Sequence, residues 1–437
     1  AANVAIGLEA GKETTIGDYN VYIGYQAAYR TAGLNNQYNT MVGYQAGAGD
    51  WTSGASNNNT ALGAFAMGGG ALNASVNNVC VGYSAGYLLT TGDSNTAVGY
   101  QALVSAQTSQ GNVAIGNLSL EELTFNGNSF NTAVGFETGK ELVGGIKNTF
   151  IGAYAGNVST DVDNAVIIGY NAGAAVMTSG ADGTVAIGHS ALSGLTTGAS
   201  NIAIGLKSLT VHTTGARNIA IGELAMTDTN AGDTSLGSAD NVFIGYTAGG
   251  GTWTDAASNQ NIGIGTNVMN GALAGALNNV GIGNAALNAL TSGDSNTALG
   301  YLAGNDLTTG HSNVLLGSSA GKLSQTGLYN IAIGTDAFDA EDGNASYAIA
   351  IGLNALGGTN HDDADYNIAI GHNAVASANT SGMSGIVIIG QTAGFAMNNA
   401  GTNYTTGIGF EVFRNLTSGQ GNTAIGKHAL YAEDDGD

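Results

Sequence analysis

Two pentapeptides carry the pattern of a serine nucleophile. Gly82-Tyr83-Ser84-Ala85-Gly86 and Gly317-Ser318-Ser319-Ala320-Gly321 both fit Gly-x-Ser-x-Gly, which sets a reactive serine on a sharp strand-to-helix turn. The same slot reads Gly43-Tyr44-Gln45-Ala46-Gly47 and Gly169-Tyr170-Asn171-Ala172-Gly173 elsewhere in the chain. Serine is therefore one filling of a repeated position, without the helix the motif requires, and no catalytic residue is assigned. The six histidines, His189, His212, His311, His361, His372 and His428, show no zinc-type spacing with one another or with the single cysteine, Cys80. They read as turn or surface residues. Acidic clusters at Asp161-Val162-Asp163, Glu341-Asp342 and His361-Asp362-Asp363-Ala364-Asp365 are oxygen-rich turns of the kind that can hold Ca²⁺. That ion needs ~6–8 oxygens, and the Gly-Asp nonapeptide of calcium-binding rolls is missing. Solvated loops are the expectation; no cofactor is assigned, and Ca²⁺ is the one ion kept in view.

Trp51 and Trp253, the only two tryptophans, precede similar tracts, Thr52-Ser53-Gly54-Ala55-Ser56-Asn57 and Thr254-Asp255-Ala256-Ala257-Ser258-Asn259. An exposed indole can contact sugars or proteins, which makes both candidate surface contacts. Packing over the end of an enlarged coil is the stronger reading, because buried area dominates aromatic energetics. Tyrosines at 25, 44, 83, 100, 170, 246 and 301 each follow a motif glycine and are expected to form an outer stripe.

What positions these residues is a repeat. A degenerate motif of the form Asn-x-Ala-(Ile/Val)-Gly recurs 24 times, from Gly7 to Gly426, mostly 17 or 19 residues apart and never more than 23. The widest gap, Gly222 to Gly245, holds a polar insertion around Asp228 to Asp240 with a degenerate copy at Ser235-Leu236-Gly237. Seventeen residues are too few for a strand, a helix and a return, but suffice for two short strands and two turns. The expected fold is all-β, a parallel β-solenoid or β-roll of about 24 coils of 17–19 residues. It forms one continuous domain over 1–430, with an acidic tail or the start of a further segment at 431–437. At ~4.7–4.9 Å per coil it makes a rod of about 110 Å. Without a visible cap, this rod is expected to continue into other segments or subunits.

The columns suggest an inside and an outside. The residues one and three before the glycine are Ile, Val, Leu or Thr throughout, and as β-branched alternate positions they are expected to pack inward. Asparagine, four before the glycine, fills 19 of 24 copies and suits turns and axial amide ladders. The position two before the glycine then points outward, yet it is Ala in 13 copies, Gly in three and otherwise large and apolar. A stripe of that length implies cover by other chains. Ala97, Ala114, Ala133, Phe150, Ala203, Ala220, Phe243 and Leu315 are therefore the expected oligomer interface. The alternative is a strand buried on both faces within one wider coil.

Composition excludes other classes. The net charge is −22 with only nine Lys and Arg, so there is no basic face for nucleic acid. No apolar run reaches the ~18 residues of a membrane span. Pro is absent and 43% of residues are hydrophobic, which argues against collagen and disorder.

The strings Asn95-Thr96-Ala97-Val98-Gly99-Tyr100-Gln101-Ala102-Leu103 and Asn201-Ile202-Ala203-Ile204-Gly205 resemble head repeats of trimeric autotransporter adhesins, and still more the related repeats of phage tail fibres. The resemblance covers essentially the whole chain, although the coils are longer than the usual adhesin-head repeat. It implies a left-handed roll intertwined as a homotrimer, extracellular on a cell or virion, contacting host or cell-surface glycans or proteins. The expected function is thus a structural and adhesive fibre, with no enzyme activity. A self-assembling extracellular filament is the alternative. An ice-binding solenoid is weaker, since the Thr-rich tracts lie in irregular turns. A polysaccharide-cleaving tailspike would need paired carboxylates in a cleft.

Overall fold

The computed structural model is an all-β parallel β-solenoid. It describes residues 2–31, 33–51, 54–229, 237–254, 256–339, 345–358, 365–377, 383–397, 403–417 and 419–432. Glu341-Asp342, His361 to Ala364, Ser235-Leu236 and residues 433–437 of the acidic tail lie outside the described residues. Contacts divide the repeat into two compact units, Ala1–Arg217 and Asn218–Asp437.

Each motif copy forms one three-residue strand, twelve per unit, the first being Val4–Ile6 and the last Thr423–Ile425. Successive strands pair in parallel and in register, so that Thr96, Ala97 and Val98 lie against Val113, Ala114 and Ile115. The second strand expected in each coil is not general. Among the described residues a second pairing occurs between Ser109–Gln110 and Gly127–Asn128, and as a single parallel bridge between Asn259 and Leu277. Elsewhere the half-coil after the glycine turns through left-handed residues two and four positions on, such as Gln101 at φ 51° and Leu103 at φ 54°. These turns also bond from coil to coil: Gln101 N donates to Tyr83 O at 2.9 Å, and Leu103 N to Ser119 O at 3.0 Å. Such bonds offset the cost of holding non-glycine residues at positive φ.

The motif glycine is required twice over. Gly152 sits at φ 122°, and a Cβ there would stand 2.7 Å from Gly169 O of the next coil. Asparagine forms an axial ladder. In the first unit, each Oδ1 from Asn3 to Asn148 accepts the backbone N–H at the same position of the next coil at 2.8–3.0 Å. Most Nδ2 groups donate to a carbonyl of the next coil, as Asn95 does to Ser109 O at 2.9 Å. Apart from Asn422 Nδ2, which is buried without a partner, the ladder's hydrogen bonds offset the cost of burying its amides and hold the coils in register.

The structure reverses the expected faces of the strand. The central residue is buried in all strands except Val4–Ile6, whereas both flanking residues are partly or largely exposed. So small a coil closes around one inward side chain per strand, and its partner is the residue four after the glycine. These two columns complement each other in volume. In all eight coils with a large centre (Tyr22, Met41, Cys80, Phe150, Ile167, Phe243, Leu315, Ile388) the partner is Gly or Ala. In 13 of the 16 with Ala or Gly at the centre, the partner is Met, Leu, Phe or Val. The exceptions, Gly11, Gly139 and Gly304, are filled from neighbouring coils. Added Cβ atoms there would stand 2.8 Å from Tyr22 Cδ2, 2.8 Å from Phe150 Cδ2 and 2.7 Å from Leu315 Cδ1. Constant summed volume is what a close-packed core requires.

Candidate functional surface

With the centre of each strand turned inward, the Val, Ile, Leu and Thr columns form the outer face. Leu62 is 48% exposed, Val79 39%, Ile115 38% and Leu299 49%. Tyrosines extend this strip on both sides. In the second coil the outward sequence is Tyr19, Val21, Ile23, Tyr25; in the third it is Tyr38, Thr40, Val42, Tyr44. Tyr19 stacks on Tyr38 and Tyr25 on Tyr44, both with centroids 5.2 Å apart. Tyr329, Tyr347 and Tyr366 continue such a row in the second unit at 5.2 and 4.9 Å. The seven tyrosines that follow a motif glycine are all exposed, as the sequence suggests. Their faces are occupied by one another where they stack, so they present edges and hydroxyls to their surroundings. Each unit thus carries twelve rows of apolar outer surface, about 55 Å along the stack, well beyond an incidental patch.

The eight residues assigned from sequence to an oligomer interface do not lie on this surface. Ala97, Ala114, Ala133, Phe150, Ala203, Ala220 and Phe243 are fully buried, and Leu315 nearly so, inside the chain's own coil. The alternation of faces was read correctly, but its parity was inverted. Trp51 and Trp253 are likewise core residues, 1% and 0% exposed, and are not surface contacts. Their indole N–H groups donate to Gly47 O at 3.1 Å and Gly249 O at 3.0 Å, as the packing alternative implies.

The remaining sites take structural places. Ser84 and Ser319 occupy the left-handed position two after the glycine, at φ 54° and 55°, a turn that also holds glutamine and leucine. His189 stacks on Tyr170, His311 meets Tyr329 edge-on, and His428 Nε2 lies 3.0 Å from Glu411 Oε2. His212 is buried with Nε2 2.8 Å from Gly215 O, and burial lowers its pKa. Asp163 and Asp182 act as clips: Asp163 Oδ1 accepts Ile146 N and Asp182 Oδ1 accepts Asp163 N, each at 2.8 Å. Asp93, Asp294 and Asp365 clip Val76, Leu277 and Ser346 in the same way at 2.7 Å. Burial raises the pKa of Asp182, opposed by the Asp163 N–H and reinforced by the charges of Asp163 and Asp161. No group of three or more His, Cys, Asp or Glu is placed to hold a metal ion among the described residues. Burial pushes the Cys80 thiol up to about 12, and burial, partly opposed by Lys322, pushes Asp339 up to about 6. No helix of the described residues is long and apolar enough to cross a membrane.

The sequence signal for the true outer face is the threonine. It fills the position three before the glycine in eight copies, and a hydroxyl in an apolar interior needs a partner. No protein-family model matches this chain, and a search of curated proteins finds no match either.

Proposed function

We propose that this chain is a structural, non-enzymatic segment of an extracellular fibre that self-associates through its Val/Ile face. Its other surfaces are left to contact host or cell-surface glycans or proteins. The observation that carries the reading is the apolar outer strip along each unit, flanked by tyrosines and far too long for a surface that meets only water. Parallel packing of identical strips sets apolar on apolar, and tolerates the −22 charge of each chain because the strand-face columns carry no charged residue. Three chains and a left-handed winding are what the resemblance to adhesin heads implies. Light scattering on the intact chain tests the reading. A mass three times 43.3 kDa is expected; a monomer at all accessible concentrations refutes self-association.

A further inference from the structure

The column five after the motif glycine reads Lys12, Tyr29, Ala48, Gly68, Tyr87 in the first five coils. Two adjacent coils therefore lack a large side chain there, and a cleft of ≈ 480 Å³ opens over Ala48, Gly49, Gly68 and Gly69. Close coil contact enforces the glycines. A Cβ on Gly68 would stand 2.5 Å from Gln45 O, and one on Gly69 would run into the Tyr87 ring. Ala48 is partly exposed, lines the gap and is the one of these four residues with a side-chain carbon.

The rim is polar, and its cation is paired. Arg30 Nη1 donates to Asp50 Oδ1 at 2.8 Å and Oδ2 at 3.1 Å. A side-chain row fixes the other side: Lys12 Nζ donates to Glu9 Oε1 at 2.8 Å, Gln26 Nε2 to Glu9 Oε2 at 2.8 Å, and Gln45 Nε2 to Gln26 Oε1 at 2.7 Å. The row ends at Gln45 Oε1, an acceptor with no partner among the described residues. Lys12 pairs with Glu9 and Arg30 with Asp50, while Glu13 adds a further negative charge acting on Arg30, so no free positive charge remains to seat an anion; no metal-ligating cluster of three or more side chains stands here among the described residues.

We propose that this cleft binds a neutral oligosaccharide of about two sugar rings. A planar amide and a guanidinium–carboxylate pair match vicinal hydroxyls, each of which donates and accepts. The volume falls within the ~300–1,000 Å³ of small-molecule sites, and the polar rim disfavours an apolar occupant. The chain's net charge of −22 repels anionic glycans. The site lies within one chain; it rests on and deepens the proposed contact with cell-surface glycans, and needs no self-association.

Saturation-transfer NMR on the intact chain, with maltose, lactose, cellobiose and N,N′-diacetylchitobiose as millimolar probes, tests it. Transfer to at least one disaccharide is expected. Ala48→Tyr restores the side chain that Tyr29 and Tyr87 supply in nearby coils, so it should abolish transfer with unchanged circular dichroism and melting. Should that variant fold poorly, Arg30→Ala serves instead and should weaken binding at least about tenfold. Transfer to none of the four, transfer that survives both variants, or a preference for sialyllactose over lactose overturns the proposal. Light scattering on the same sample separates the two readings, because a monomer that binds sugar removes the fibre and leaves the cleft.

Discussion

Neighbouring residues of one strand should respond in opposite ways to the same substitution. Ile115 lies on the outer face, 38% exposed, and Ala114 beside it is fully buried in the coil. Burying what remains of Ile115 is worth about 0.6–1.1 kcal/mol per chain, the exposed fraction of the ~1.5–3 kcal/mol for a whole side chain. Ile115→Asp forfeits that gain and places a carboxylate in an apolar contact, at a cost of several kcal/mol per ion. The dissociation constant should rise at least about a thousandfold, since ~4 kcal/mol corresponds to that factor. The monomer should keep its β-sheet circular dichroism, because the side chain points away from the core. Ala114→Asp should instead unravel its coil at a cost above ~4 kcal/mol, as an unpaired charge enters a closed interior. Sedimentation velocity across a concentration series reads the first effect and thermal melting the second. Ile115→Asp chains that assemble as the wild type does would refute the outer-face assignment. Ala114→Asp chains that stay folded but dissociate would restore the parity read from sequence.

Three further outcomes follow from the core. Leu120→Gly should destabilise by ~2–5 kcal/mol through the cavity it leaves, and adding Ala114→Leu should recover part of that loss, whereas Ala114→Leu alone overpacks; denaturant unfolding of the double-mutant cycle measures the coupling. Burial lowers the pKa of His212 below the ordinary histidine value of about 6.5 and favours its neutral form, so the unfolded chain binds the extra proton. The stability His212 contributes is present above pH ~6.5 and is lost below it by up to about 1.4 kcal/mol per pH unit, until the folded pKa is passed. His212→Leu, the residue found at the same position as Leu195 one coil earlier, should flatten that part of the stability–pH curve. Cys80, buried and held protonated, should resist alkylation by iodoacetamide in the native state and react on denaturation; fast native labelling would show that its coil opens.

The periodic features were legible because each has a local steric or hydrogen-bonding cause. A glycine every coil follows from backbone contact at positions such as Gly152, and the asparagine column follows from the ladder. The half-coil turns were not legible. Gln101, Leu103 and Leu120 carry no left-handed preference of their own, and closure of the coil imposes their φ angles. The parity error came from giving β-branched residues to the core because they favour strands, although strand preference says only that a side chain suits a pleated surface. The correct face was recoverable from the pairing of Phe150 with Gly156 and of Ala114 with Leu120. Side chains that trade volume across a coil must share one interior.

The inversion strengthens the case for association. With valine and isoleucine inside, the outer column would have been mostly alanine, a surface that gains little from being covered. The actual outer columns, one and three before each glycine, hold 48 side chains, and none is Asp, Glu, Lys or Arg. At the chain's 9% charged content, about four would fall there by chance, and a strand face meeting only water would carry more. Charge is excluded from the one surface where a solitary solenoid would have most use for it. A face that excludes charge while staying partly exposed is what the proposed association requires.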